Sequence, residues 1–180
     1  MVRFVGTRGA ILRIILRTFA ALFAIIVFST TADQVETRYF GFNVCLLGLH
    51  SDSDNKQGDA NACNYAIAIG IMAFLIAAAF ICLDSLLYLV NIGNDRIQFF
   101  VAFADLILSL ILSFLWLVGF IYLIDKSVNS GPKNEDPFTA ANKAAVGACI
   151  AFSLFSSLVW GGLGYLAFCQ FRTSRTALMG

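Results

Sequence analysis

Four long apolar stretches, separated by polar segments, dominate the hydropathy pattern of the chain. The longest stretch runs from Phe99 to Ile124 and contains a single charged residue, Asp105. As a helix with a rise of about 1.5 Å per residue it would measure about 39 Å, more than the ~30 Å hydrocarbon core of a bilayer. Within lipid the backbone must satisfy its own N–H and C=O groups, so this stretch is predicted to be a transmembrane helix.

The predicted fold is therefore all-α: one integral membrane domain over residues 1–180, a bundle of four transmembrane helices. The predicted spans cover residues 11–31, 65–87, 99–124 and 144–169. Placing both termini in the cytoplasm puts seven of the twelve Lys and Arg residues on that side, four of them before or within the start of the first span. This orientation satisfies the positive-inside rule and makes the loops at 32–64 and 125–143 luminal.

The first apolar stretch has two interpretations. Residues 1–17 contain four arginines and no acidic residue, and a Thr-Thr-Ala sequence precedes Asp33. A basic flank, a short apolar segment and small residues together are typical of a cleaved secretory signal. Residues 11–28 are also long enough for a retained span if Arg13 and Arg17 extend to the membrane interface. Both interpretations place the following loop on the non-cytoplasmic side.

Asp105 is the strongest candidate for a functional residue, because a carboxylate within a membrane is costly and usually has a partner or a role. It lies six residues into its apolar stretch, and Arg17 lies six residues from Ile11, so both are predicted at a depth of about 9 Å. An intramembrane ion pair between Arg17 and Asp105 is predicted, and a shallower interfacial pair between Arg13 and Asp84. The alternative is that these side chains extend separately to the interface, or that Asp105 is protonated.

The polar side chains of the third span share one face. Asp105, Ser109 and Ser113 recur at every fourth residue, and Trp116 follows three residues later. This face is expected to contact protein. An ion or proton pathway along the same face is the functional alternative, although one acid and two serines make a thin pore lining.

Small residues mark the predicted helix-packing faces. Gly70 shares a face of the second span with three alanines. The fourth span repeats small or polar residues every four positions, with Ser153, Ser157 and Gly161 at the centre of a series from Ala145 to Cys169. Small residues let helices approach closely where lipid offers no hydrophobic driving force. These faces are expected to form contacts within the molecule more often than between copies.

The five cysteines include no C-x-x-C pair, which argues against thiol redox chemistry and zinc binding. Cys45 and Cys63 share the first luminal loop, where an oxidising lumen would join them in a disulfide contributing about 3 kcal/mol. Two free thiols are the alternative. Cys169 lies near Arg172 at the cytoplasmic end of the fourth span and is a candidate palmitoylation site.

No cofactor, metal or catalytic motif is recognisable, and the chain is expected not to be an enzyme. A net charge of +1 provides no basic surface for nucleic acid.

Three segments resemble the synaptogyrins, four-span vesicle proteins of the MARVEL-domain group that also includes the synaptophysins. The segments are NACNYAIAIGIMAFL at 61–75, FLWLVGF at 114–120 and AFSLFSSLVWGGLGYLAF at 151–168. The chain also resembles this family in the order and spacing of three other features: AILRII at 10–15, Asp84 and the Asp95–Arg96 pair. The resemblance covers the chain from about Ala10 to Arg172.

The resemblance implies a MARVEL-like bundle in which the first stretch is a retained span and Cys45 and Cys63 form the luminal disulfide. It also implies residence in secretory or synaptic-like vesicles and a role in membrane trafficking and regulated exocytosis without catalysis. We expect association with membrane lipids, cholesterol among them, with other vesicle membrane proteins or with a second copy. A channel or transporter subunit with a polar face around Asp105 is the alternative. The chain departs from the family in its short C-terminal tail, its inner link without a lysine run and its longer first luminal loop.

Overall fold

A computed structural model describes residues 2–32, 36–39, 42–45, 60–90, 95–129 and 140–179. Four long helices make up most of it: α1 (Val2–Thr30), α2 (Ala60–Val90), α3 (Asp95–Asn129) and α4 (Ala140–Met179). A small antiparallel hairpin, β1 (Glu36–Tyr39) and β2 (Phe42–Cys45), comes between α1 and α2 in the chain. Its register pairs Glu36 with Cys45 and Tyr39 with Phe42.

Each helix contains a segment long and apolar enough to cross a bilayer. These segments are Ile11–Thr30, Cys63–Leu86, Ile97–Asp125 and Ala144–Thr176. The prediction of a helical membrane domain with four candidate spans is confirmed. The location of the two termini in the cytoplasm stays a prediction.

Neighbouring helices in the bundle run antiparallel. α1 packs against both α2 and α4, and α3 packs mainly against α4. Near the end of α1, Thr30 lies against Cys149 in the early part of α4. Earlier in α1, Phe23 packs against Phe152, with 5.4 Å between the ring centroids. The beginning of α1 and the end of α4 therefore lie at the same end of the bundle.

Small side chains line the contact between α1 and α2, while many large apolar side chains of the bundle point outward. Four alanines of α1 and α2 are fully buried: Ala20, Ala24, Ala73 and Ala77. By contrast Phe100, Phe114 and Leu158 are 64–68% exposed. This distribution suits a lipid surround, because lipid tails solvate Phe and Leu while small residues let helix backbones approach.

The series of every fourth residue in α4 is buried only along its first part. Cys149, Ser153 and Ser157 are buried, whereas Tyr165 is 68% exposed and Cys169 is also exposed. An α-helix has 3.6 residues per turn, so a series with a spacing of four rotates by about 40° at each step. The buried face continues instead through Trp160, Leu163 and Ala167.

Candidate functional site

Arg17 of α1 joins three helices through one guanidinium group. Its Nη1 atom contacts the Asp84 carboxylate of α2 and also donates to the Phe80 carbonyl oxygen at 2.9 Å. Its Nη2 atom lies 2.6 Å from Oδ2 of Asp105 on α3. Arg17 is 1% exposed, Asp105 2% and Asp84 7%. We call Arg17, Asp84 and Asp105 the ion cluster.

Neighbouring groups complete the surroundings of the ion cluster. Ser109, one turn after Asp105, donates its hydroxyl to Oδ1 of that carboxylate at 3.2 Å. The Phe80 ring lies beneath the guanidinium of Arg17, 4.5 Å from the ring centroid, which is a cation–π distance. Because an unpaired charge in an apolar interior is very costly, these contacts are what allow the ion cluster to remain buried.

The structure brings the two predicted partners Arg17 and Asp105 into contact, and it changes the partner of Asp84. The Asp84 carboxylate contacts Arg17, and Arg13 forms no ion pair within the described part of the chain. Arg17 lies one helical turn deeper than Arg13 on the same face of α1, at the level of Phe80 and Asp84 on α2. A guanidinium has five N–H donors, so one arginine can serve both carboxylates.

Two serines form a reciprocal pair of hydrogen bonds between α3 and α4. Ser113 donates its hydroxyl to the Ser157 carbonyl oxygen at 2.9 Å, and Ser157 donates to the Ser113 carbonyl oxygen at 3.0 Å. A Cβ atom built at Gly161 would lie 3.4 Å from the Ser113 hydroxyl oxygen. Ser153 is buried too, and its hydroxyl donates to the Cys149 carbonyl oxygen of its own helix at 2.7 Å. Ser157 and Gly161 therefore lie where α4 approaches α3 closely.

Gly70 lies at a close approach of α2 to α1. A Cβ atom built at this position would be 2.8 Å from Cβ of Phe28 and 3.2 Å from the Ala24 carbonyl oxygen. Real Cβ atoms essentially never come that close to another side chain. Only glycine fits here without moving one of the two helices.

The polar face of α3 is occupied by protein contacts. Asp105 contacts Arg17, and Ser113 bonds to the backbone of α4. Trp116, further along this face, is 2% exposed. A nearby cavity between Tyr65, Trp116 and Ser153 has a volume of about 10 Å³, close to the smallest space that holds one water molecule. The Asp105 carboxylate and the Ser113 hydroxyl, which an ion path would use, are therefore engaged in helix–helix contacts.

Two further interhelical contacts were not anticipated from the sequence. The thiol of Cys149 lies 3.1 Å from the Thr30 hydroxyl oxygen and 3.2 Å from that of Thr31, which connects α4 to the end of α1. The Tyr65 hydroxyl donates to the Leu115 carbonyl oxygen at 3.1 Å and so connects α2 to α3. For the first contact the sequence contained a signal: two adjacent threonines at the end of one apolar stretch and a cysteine early in another.

The predicted cysteine sites are only partly within the described structure. The Cys45 side chain lies outside it, so a disulfide with Cys63 stays a prediction. Strand β2, which ends at Cys45, contacts α2, which carries Cys63 in its first turn. Cys169 is a free and exposed thiol, as palmitoylation requires, and its modification stays a prediction.

The fold and these buried contacts define a polytopic membrane protein whose four helices are held together by polar groups within the bundle. The MARVEL family model, described as a membrane-associating domain, matches residues 10–166.

Among curated proteins, the chain is 32% identical to human synaptogyrin-1 over 163 residues, 88% of this chain and 63% of that protein. It is 30% identical to synaptogyrin-2 of Rattus norvegicus over 172 residues, 93% of this chain and 69% of that protein. It is 32% identical to synaptogyrin-4 of Bos taurus over 164 residues, 88% of this chain and 62% of that protein. The chain thus spans roughly two thirds of the length of these relatives. It belongs to the synaptogyrin family of MARVEL-domain membrane proteins.

Proposed function

We propose that this chain is a non-enzymatic vesicle membrane protein that acts in membrane trafficking and regulated exocytosis. It would do so through lateral association with lipids and with other proteins of the vesicle membrane. Membership of the synaptogyrin family is the observation that carries the proposal.

The distribution of polar and apolar groups supports a scaffold that works in the plane of the membrane. Within the described residues, the buried charges and the Ser113–Ser157 pair are used to hold helices to each other. The outward faces present large apolar side chains such as Phe100 and Phe114 to the lipid. A protein built in this way offers its surroundings a rigid apolar surface on which lipids and other helices can pack.

A channel or transporter subunit is the competing function, and the ion cluster is the place to test it. If the Asp105 face conducts ions, Asp105→Asn would abolish a conductance that the unmodified chain shows in liposomes. We expect no conductance from either protein, because Asp105 and Ser113 are bonded to neighbouring helices and Ser109 is bonded to Asp105.

Localisation and secretion together test the proposed function. A tagged chain expressed in a regulated secretory cell line should co-sediment with secretory vesicles, and its depletion or overexpression should change evoked release of a vesicle cargo. Constitutive secretion should be unchanged in the same cells.

Two variants make the secretion experiment specific. Lys143→Gln, at the beginning of α4, is the control and should reach vesicles as the unmodified chain does. Arg17→Met, which leaves two buried carboxylates unpaired, should be retained in the endoplasmic reticulum. Exclusion of the unmodified chain from vesicles, with evoked release unaffected, would contradict the proposed function.

A further inference from the structure

Basic residues are concentrated at one end of the bundle, where α1 begins and α4 ends. Seven arginines belong to this end by their position in the chain: Arg3, Arg8, Arg13, Arg17, Arg96, Arg172 and Arg175. Three aspartates belong to it as well, Asp84, Asp95 and Asp105, and two of these are already in contact with Arg17. Neither α1 nor α4 contains an acidic residue. By position in the sequence, this end of the bundle therefore carries more positive than negative side chains, seven against three.

Apart from the buried Arg17, the described arginines at this end form no ion pair within the described residues. Arg172 and Arg175 are exposed on α4, and neither forms an ion pair within the described residues. Arg13 of α1 is half-buried, and its Nε atom is enclosed without any hydrogen-bond acceptor in the described structure. The exposed guanidinium groups of Arg172 and Arg175 therefore have donors available for a ligand that carries negative charge, and Arg13 adds positive charge at the same end of the bundle.

The position of these arginines along the helices points to the polar surface of a bilayer. The apolar segment of α1 begins at Ile11, close to Arg13, and the apolar segment of α4 ends at Thr176, beside Arg175. Phe171, adjacent to Arg172, packs on Phe99 at the beginning of the α3 apolar segment, with 5.0 Å between ring centroids. The arginines thus lie where the apolar surface of the bundle ends, which is the level of the lipid headgroups.

We propose that this end of the bundle binds the headgroups of anionic phospholipids through Arg172 and Arg175 of α4, with Arg13 of the adjacent α1. A guanidinium donates paired hydrogen bonds to phosphate and carboxylate oxygens, and a headgroup such as phosphatidylserine presents both. The inference does not depend on the trafficking role, since it concerns only the charge, exposure and level of these side chains.

Lipid binding by the purified full chain tests the proposal. A short-chain fluorescent phosphatidylserine is titrated with the detergent-solubilised protein, and its anisotropy is compared with that of the phosphatidylcholine analogue of equal chain length. We expect phosphatidylserine to bind more tightly, and the difference to shrink as salt is added. Arg172→Gln/Arg175→Gln should weaken phosphatidylserine binding by between about twofold and 30-fold, the range expected for the loss of two exposed ionic contacts.

Matched variants show whether weaker binding comes from the lost charge or from a change in the fold. Arg172→Lys/Arg175→Lys keeps the charge and should bind more tightly than the double glutamine variant but less tightly than the unmodified chain, because lysine keeps an ionic contact to phosphate and loses the paired hydrogen bonds. Lys143→Gln removes a basic residue at the opposite end of α4 and should leave binding unchanged.

Three results would overturn the proposal. Equal binding of the two lipids to the unmodified chain would remove the preference for anionic headgroups. If the double glutamine variant binds phosphatidylserine as tightly as the unmodified chain does, Arg172 and Arg175 are not the residues that recognise the anionic headgroup. Displacement of the fluorescent lipid by soluble glycerophosphoserine at the same concentration as by unlabelled phosphatidylserine is the third result. It would show a site for free phosphate compounds instead of membrane lipid.

Discussion

Replacing Arg17 with Met tests how strongly the ion cluster stabilises the bundle. Met has a similar length and fills the same apolar space, so the change removes the charge with little loss of packing. The Asp84 and Asp105 carboxylates then lose their contacts with Nη1 and Nη2, and the Phe80 carbonyl oxygen loses a donor at 2.9 Å. Removing one partner of a buried ion pair typically costs about 3–5 kcal/mol, because the other charge is left uncompensated.

The expected decrease in the free energy of unfolding of Arg17→Met is therefore about 3 kcal/mol or more. It can be measured by titrating the protein with sodium dodecyl sulfate in mixed micelles. Trp116 and Trp160 are both buried in the bundle and provide an intrinsic fluorescence signal for its unfolding. Arg172→Met is the matched control: this arginine is exposed, and its replacement should change the free energy of unfolding by less than about 0.5 kcal/mol.

Neutralising the two partners should recover most of the lost stability. In Arg17→Met/Asp84→Asn/Asp105→Asn no charge remains in the ion cluster, and replacing a complete buried ionic group is often close to neutral. The effects of Arg17→Met and Asp105→Asn should accordingly be far from additive. A loss below about 1 kcal/mol for Arg17→Met, or additive effects of the two replacements, would refute this account of the ion cluster.

The remaining predictions concern packing and the luminal side. Ser157→Ala removes one interhelical hydrogen bond and should lower the free energy of unfolding by about 0.6 kcal/mol, measured by the same titration. Gly70→Ala forces α1 and α2 apart and should cost about 1–3 kcal/mol, whereas Gly162→Ala, where a Cβ atom would meet nothing within 4 Å, should be neutral or stabilising by up to about 1 kcal/mol. Cys45 and Cys63 should appear as one disulfide-linked peptide in a non-reduced mass-spectrometric map, and recovery of both as alkylated thiols would remove that prediction.

Depth along an apolar stretch was enough to predict the contact between Arg17 and Asp105. It could not predict that Asp84 contacts the same guanidinium, because residue counting gives depth and says nothing about how α1 and α2 are rotated about their axes. The predicted packing face of α4 was wrong beyond Gly161 for a related reason. A spacing of four residues departs from the helical period of 3.6 and leaves the buried face after a few turns.

The hairpin between α1 and α2 shows another limit of the hydropathy pattern. Long apolar stretches identify spans, but the short strands β1 and β2 come from local preferences within a polar loop. Thr37, Tyr39, Phe42 and Val44 are residues that favour strands, and their alternation was a readable signal. Polarity alone does not reveal this alternation, because the loop around these residues is polar on average.

The direct test of the central claim is the topology of the chain in a membrane: four helices that each cross once, with both ends on the cytoplasmic side. Epitope tags at the two ends and a protease site introduced beside Asp54 can be probed in sealed vesicles whose cytoplasmic face is outward. The account predicts that protease removes both tags and leaves the site beside Asp54 intact until detergent opens the vesicles. Cleavage beside Asp54 in sealed vesicles, or protection of either tag, would contradict it.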